Sequence, residues 1–144
     1  MTYFGCSTLV TMKDEGEVRT GARVPEDLAK RTKRFALAII KLVSRIPGSD
    51  TGSVLGRQVL RSGTSIGANY REGKRGRSTD EFTAKLGIAQ FEAEETCYWL
   101  ELLIESGISD DDRTRELLKE ANELQAILGA CIRTARNGRG RRAA

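Results

Sequence analysis

Arg57, Arg61, Arg71 and Arg75 stand at offsets of 4, 14 and 18 residues from the first of them. On a helix with about 3.6 residues per turn, all four fall near one face. Guanidinium groups in such a row can neutralise successive phosphates of a nucleic-acid backbone. They can equally pair with acids on a neighbouring helix, and Glu92, Glu94, Glu95, Glu101 and Glu105 would supply them. Arg57 and Arg61 suit the ion-pair role better. Lys74, Arg75 and Arg77 sit in GKRGR, where glycines break the helix, and are freer to bind; Arg71 leads into them.

A second basic group closes the chain. Arg133, Arg136, Arg139, Arg141 and Arg142 crowd the last twelve of 144 residues, and without them a formal charge of +4 would be close to neutral. RTARNGRGRR suits non-specific contact with RNA or DNA backbone. It holds no aromatic residue for base stacking, so any sequence preference is expected to be weak. A solvated tail without function is the plainer reading of the same residues.

Other chemistry is poorly supplied. The chain has no histidine, which removes the commonest general base, Ser-His and Cys-His nucleophile pairs, and Cys/His zinc sites. The acids of FEAEET could work as a carboxylate pair or hold a metal, but bundles that bind two irons use Glu-x-x-His pairs. Asn69 with Glu92 or Glu95 is expected to form a partly buried polar network instead. Gly63 and Gly67 lie four residues apart on one helix face. GTSIG has neither phosphate-loop spacing nor a preceding strand, so these glycines are expected to admit a close helix neighbour. No catalytic residue, metal or cofactor is expected.

Cys6, Cys97 and Cys131 are too far apart for a local CxxC motif and odd in number. Cys97 and Cys131 sit among apolar residues as small core groups. A reduced, cytoplasmic setting fits. The first residues show no basic stretch followed by an apolar run, so no signal peptide is expected, and no apolar run approaches bilayer length.

The elements that must position these residues are helices. Residues 1–24 lack periodicity and read as a flexible arm. From Val24 on, Leu28, Thr32, Phe35, Ile39, Leu42 and Ile46 form one apolar stripe, which Pro47-Gly48 stops. Ser49 or Asp50 caps a second helix carrying Leu55, Val59, Ser62, Ile66 and Asn69, ended by Gly73. Ser78 or Thr79 caps a third, with Phe82, Leu86, Ala89, Ala93, Thr96, Leu100 and Leu103 inward and Gly107 at its end. A fourth runs from about Asp111 to Arg136 with Leu117, Ala121, Leu124, Leu128 and Cys131 inward; residues 137–144 read as a disordered basic tail. Four such helices with short loops imply an all-α, antiparallel up-down-up-down four-helix bundle over residues 25–136. Leu37, Ile40, Val43, Trp99, Leu102 and Ile104 lie off the single stripes and suggest a second contact surface, hence an oligomer.

Three segments carry a resemblance: RTKRFAL, GRQVLRSGTSIGANYREGKRGRS and EFTAKLGIAQFEAEETCYWLELLIESG. Together, between Arg31 and Ile108, they resemble the bacterial four-helix-bundle family named for proteins encoded in intervening sequences of 23S rRNA genes. They are also similar to the related accessory proteins of diversity-generating retroelements. The resemblance implies a bundle assembled as a barrel- or funnel-shaped homopentamer, with no known enzymatic activity. In the retroelement branch it implies nucleic-acid binding through a basic surface and a reverse-transcriptase partner. A fivefold ring would repeat the GKRGR loop and turn a weak phosphate contact into a multivalent one. The expected ligand is structured RNA or an RNA-DNA hybrid, without membrane association. The competing expectation is a protein-interaction scaffold with no nucleic-acid role, supported by the apolar surplus, Tyr98 and Trp99.

Overall fold

The computed structural model describes residues 9–12, 18–21 and 27–143, with side chains from Asp27 to Arg141. Four helices make up the body: α1 (Leu28–Val43), α2 (Asp50–Lys74), α3 (Thr79–Glu105) and α4 (Asp112–Ala143). A short ladder precedes them. Strand β1 (Leu9–Met12) pairs antiparallel with β2 (Val18–Gly21), Leu9 opposite Gly21 and Met12 opposite Val18. The arm expected to be without regular structure therefore holds a hairpin. Its β-branched Val10, Thr11, Val18 and Thr20 favour extended backbone; two runs of four residues are too short to register as a periodic pattern. Cys6 and Pro25 lie outside the described residues.

Each helix starts where a side chain can take up an unpaired amide. The carboxylate of Asp27 accepts from the Ala29 N–H at 3.0 Å, and the Ser49 hydroxyl from Gly52 N–H at 3.0 Å. The Ser78 hydroxyl accepts from Glu81 N–H, while the Glu81 carboxylate accepts from Arg77 N–H, a reciprocal arrangement close to a capping box. Asp111 accepts from both the backbone N–H and the hydroxyl of Thr114 at the start of α4; the backbone N–H above all holds its carboxyl below the usual range. Gly107, with φ of +74°, follows the C-cap of α3 in the left-handed conformation that a side chain disfavours.

The inward stripes assemble as expected. Phe35, Ile39 and Leu42 of α1, Val59 and Ile66 of α2, Leu86, Leu100 and Leu103 of α3, and Leu124 and Leu128 of α4 are all buried. Each such side chain contributes roughly 1.5–3 kcal/mol by leaving water. Leu55, Ile46, Leu117 and Cys131 are partly buried at the margins. At the centre, the Thr96 hydroxyl donates to the Ser62 hydroxyl at 2.9 Å, so the small polar positions of α2 and α3 satisfy each other.

Small residues set the spacing of α1 and α2. A Cβ on Gly63 would stand 2.9 Å from Ile39 Cγ1, and one on Gly67 3.1 Å from the Thr32 hydroxyl. Gly56 lies by Val43 further down, so contacts descend α1 as they ascend α2. The same reversal links α2 to α3, where Glu72 meets Lys85 and Ser62 meets Thr96. It links α3 to α4, where Asp80 meets Arg139 and Gln90 meets Gly129.

Two expected boundaries move. Gly73 does not end α2; the helix continues to Lys74, and buried Gly73 instead admits α3 closely, with Leu86 Cδ1 3.0 Å from where a Cβ would be. The expected disordered tail from residue 137 is helical: α4 runs through NGRGRR to Ala143. Buried Ile132 and Ala135 continue the packing up to this stretch, and the exposed Arg139–Asp80 ion pair touches α3 beyond it; Gly138 and Gly140 cost the helix about 1 kcal/mol each.

Candidate nucleic-acid interface

The reversals gather one end of each helix: the start of α1, the end of α2, the start of α3 and the end of α4. Every basic position singled out in the loop and tail falls here. Arg71, Arg75 and Arg77 are exposed and Lys74 is half-buried, its ammonium 5.9 Å from the centre of the Tyr70 ring. Arg133, Arg136, Arg139 and Arg141 are exposed along the last turns of α4, and Arg142 belongs to the same helical end. The ion pair from Arg139 to Asp80 ties that end directly to the start of α3, beside the Arg75–Arg77 loop. Residues about sixty positions apart in sequence thus share one surface.

Sequence reasoning missed the contribution of α1. Lys30 and Lys33 are exposed on its first turns, and α1 contains no acid at all. The signal was present in LAKRTKRF, where four cations fall within five residues' span, but the apolar stripe drew the reading instead.

The electrostatics of this end are one-sided. Among the described residues its carboxylates are Asp27, Glu72, Asp80 and Glu81, and all four are engaged: with Ala29 N–H, Lys85, Arg139 and Arg77 N–H. Lys30, Lys33, Arg71, Arg75, Arg77, Arg133, Arg136 and Arg141 make no ion pair among the described residues. Tyr70 and Phe82, the aromatic residues nearest by sequence, are buried. Among the described residues, this end therefore offers charge to phosphates, while its Tyr70 and Phe82 rings are closed to bases.

Arg61 does not join this group. Its guanidinium pairs with Glu92 and Glu95 of α3, the ion-pair role expected of it. That hydrogen bond, with a second from the Trp99 indole, holds the Glu95 carboxyl below its ordinary range. Glu92 and Glu95 are thus not joined to Asn69, contrary to expectation. The Asn69 amide donates instead to the Ser65 carbonyl at 2.9 Å, one turn back in its own helix; the glutamates meet Arg61, eight residues before Asn69 on α2. Arg57 stands fourteen residues before Arg71 on α2, roughly 21 Å away at about 1.5 Å per residue, and lies outside the gathered end.

The opposite end is mixed, with Arg45, Arg113 and Arg115 set among acids. Asp50, Glu101, Glu105, Asp110, Asp111 and Asp112 cluster around the two remaining loops. Among the described residues, no group of three or more His, Cys, Asp or Glu side chains is placed to hold a metal ion. No described helix is long and apolar enough to cross a membrane.

Comparison with known proteins places this architecture. A solved structure described as a protein of unknown function from the S23 ribosomal protein family of Bacteroides thetaiotaomicron VPI-5482 is 36% identical, with a TM-score of 0.69 over 74% of this chain and 98% of that one. No curated protein matches the chain. The family model for the 23S rRNA-intervening sequence protein matches residues 26–130, the whole of α1 to α3 and most of α4. The chain belongs to the 23S rRNA-intervening sequence protein family.

Proposed function

We propose that this protein is a non-enzymatic, self-associating helical bundle that binds structured RNA or RNA-DNA hybrid through the basic end described above. The observation that carries the reading is the gathering of loop, tail and α1 cations on one surface whose carboxylates are already engaged. The reversing helix contacts support an antiparallel up-down-up-down bundle. The exposed apolar residues Leu37, Ile40, Phe91 and Tyr98 support assembly with further copies, as a homopentamer by the resemblance of its segments. LRSGTSIGANYREG and ETCYWLELL also support kinship with accessory proteins of diversity-generating retroelements, with a cytoplasmic reverse transcriptase as partner.

Binding would be dominated by the backbone. Each phosphate neutralised releases counterions, so affinity should fall steeply with salt, by about 0.7–0.9 in log–log slope per contact. The test is binding of the nuclease-treated protein to a structured RNA across a salt series, at a measured oligomeric mass. Lys74→Glu, Arg75→Glu and Arg77→Glu together, with the chain ended after Arg136, should weaken binding more than tenfold and flatten the slope. Unchanged binding would show that the basic end is not the interface.

A second reading, a protein-interaction scaffold without nucleic acid, is favoured by the same exposed apolar side chains. Absence of RNA binding at low salt by an intact oligomer would select it.

A further inference from the structure

The fold leaves an exposed apolar stripe on α3 and an open, cation-rimmed groove between α1 and α4, and the charges around them are opposite. The first is the outer side of α3. Ile88, Phe91 and Tyr98 are 43%, 71% and 54% exposed, and half-buried Leu102 extends them at helical spacing. Glu94, Glu101 and Glu105 flank this stripe. They are exposed and make no ion pair among the described residues.

The second face is the seam between α1 and α4. Arg31 clasps the two helices by pairing with Glu120 and Glu123. Beyond the clasp they part around an open groove of about 840 Å³. Phe35, Ala38 and Leu117 line it, with Lys41, Arg45 and Arg113 around them. Of its carboxylates, Glu120 is taken by Arg31, leaving Glu116, with Asp111 close to Arg45 and Arg113, against the cations. Leu37, 50% exposed, stands one turn before Lys41 on α1.

The two faces match in chemistry and in length. The acids of α3 run from Glu94 to Glu105 and the α1 wall of the groove from Arg34 to Arg45, a separation of eleven positions in each case. Both therefore span about 16 Å at ~1.5 Å per residue. We propose that the outer face of α3 in one copy lies in the α1–α4 groove of the next, apolar stripe against apolar floor, carboxylates against Lys41, Arg45 and Arg113. This rests on the self-association reading above. It is a helix-in-groove contact in which a second copy of the chain supplies the helix. The two faces are different surfaces of the chain, so the contact is heterologous and passes from copy to copy until a ring closes.

The test is the native mass of the full chain at micromolar concentration, with helicity followed by circular dichroism. Lys41→Glu with Arg45→Glu should shift the mass to that of a single chain, and so should Glu101→Lys with Glu105→Lys. All four changes in one chain restore opposite charges across the contact and should restore the oligomer. Phe91→Arg should dissociate it regardless. A monomeric wild type would overturn self-association itself and the proposal with it. A wild-type oligomer whose mass survives both half-reversals would overturn the pairing of faces alone. So would a folded fourfold variant that stays dissociated, since two faces that meet must tolerate a mutual exchange of charge.

Discussion

At the scale of single residues, glycine is where the fold is most exposed to test. Gly63 faces fully buried Ile39, and a methyl group there would stand 2.9 Å from its Cγ1. Ile39 is β-branched and packed on all sides, so it cannot swing away. Gly63→Ala should therefore destabilise the protein by about 1–3 kcal/mol, the usual range for overpacking. Gly87, inside α3, has no atom within 4 Å of where its Cβ would be. Gly87→Ala should stabilise by about 1 kcal/mol through helix propensity. Urea unfolding of both variants measures the contrast; equal shifts would remove the packing argument. The sequence disclosed that Gly63 and Gly67 share a face but could not distinguish them from Gly87, because the distinction lies on the opposing helix.

Cys97 offers a second residue-scale test. Burial first, then the charge of Glu101, pushes its thiol from an ordinary 9.0 up to about 11. The folded state thus favours the neutral thiol. The stabilisation is fully present below about pH 9 and is lost as pH rises from 9 toward 11. Alkylation of Cys97 at pH 8.5 should be slower than in the urea-unfolded chain by more than tenfold. Comparable rates would show that the thiol is reached in the folded protein.

At the scale of elements, the apolar stripes read from sequence were sufficient to place all four helices, because their period is local and each stripe is continuous. Ends were harder. Gly73 looks like a stop, yet α2 passes it; only the approach of α3 explains a buried glycine there. α4 extends to Ala143, and its Arg139 pairs with Asp80, 59 residues away in sequence. The Arg31 clasp between α1 and α4 is likewise invisible in sequence. Arg31 meets Glu120 through two hydrogen bonds of 2.6 and 2.8 Å and Glu123 through a third of 2.7 Å. These partners raise its guanidinium pKa further, Glu120 most. Arg31→Ala would leave two half-buried glutamates without their cation and should cost about 1–3 kcal/mol, the range for hydrogen bonds to charged groups. Arg31→Lys keeps the charge but not the fork of donors, so it should lose less. Thermal or urea unfolding of the pair measures this, and no loss in Arg31→Ala would mean the clasp holds nothing.

At the scale of the molecule, a net charge of +4 conceals a polar distribution. One end carries the loop, tail and early α1 cations; the other sets Asp50, Glu101, Glu105 and Asp110–Asp112 against Arg45, Arg113 and Arg115. Composition could not show this, since it depends on which helix ends are brought together. The consequence is that position should outweigh total charge in binding. Lys74→Glu, Arg75→Glu and Arg77→Glu remove the same charge as Arg57→Glu, Arg115→Glu and Lys119→Glu. A uniform attraction between protein and RNA would weaken equally in both triple variants. An interface at the basic end predicts instead that the first triple loses more than tenfold affinity at moderate salt, with a flatter salt slope, while the second changes affinity less than threefold with the slope preserved. Arg115 pairs with Asp110 and Arg57 lies far along α2, so neither stands where a phosphate held at the basic end would reach. Equal losses in the two variants, measured at one oligomeric mass, would reduce the basic end to a general electrostatic field.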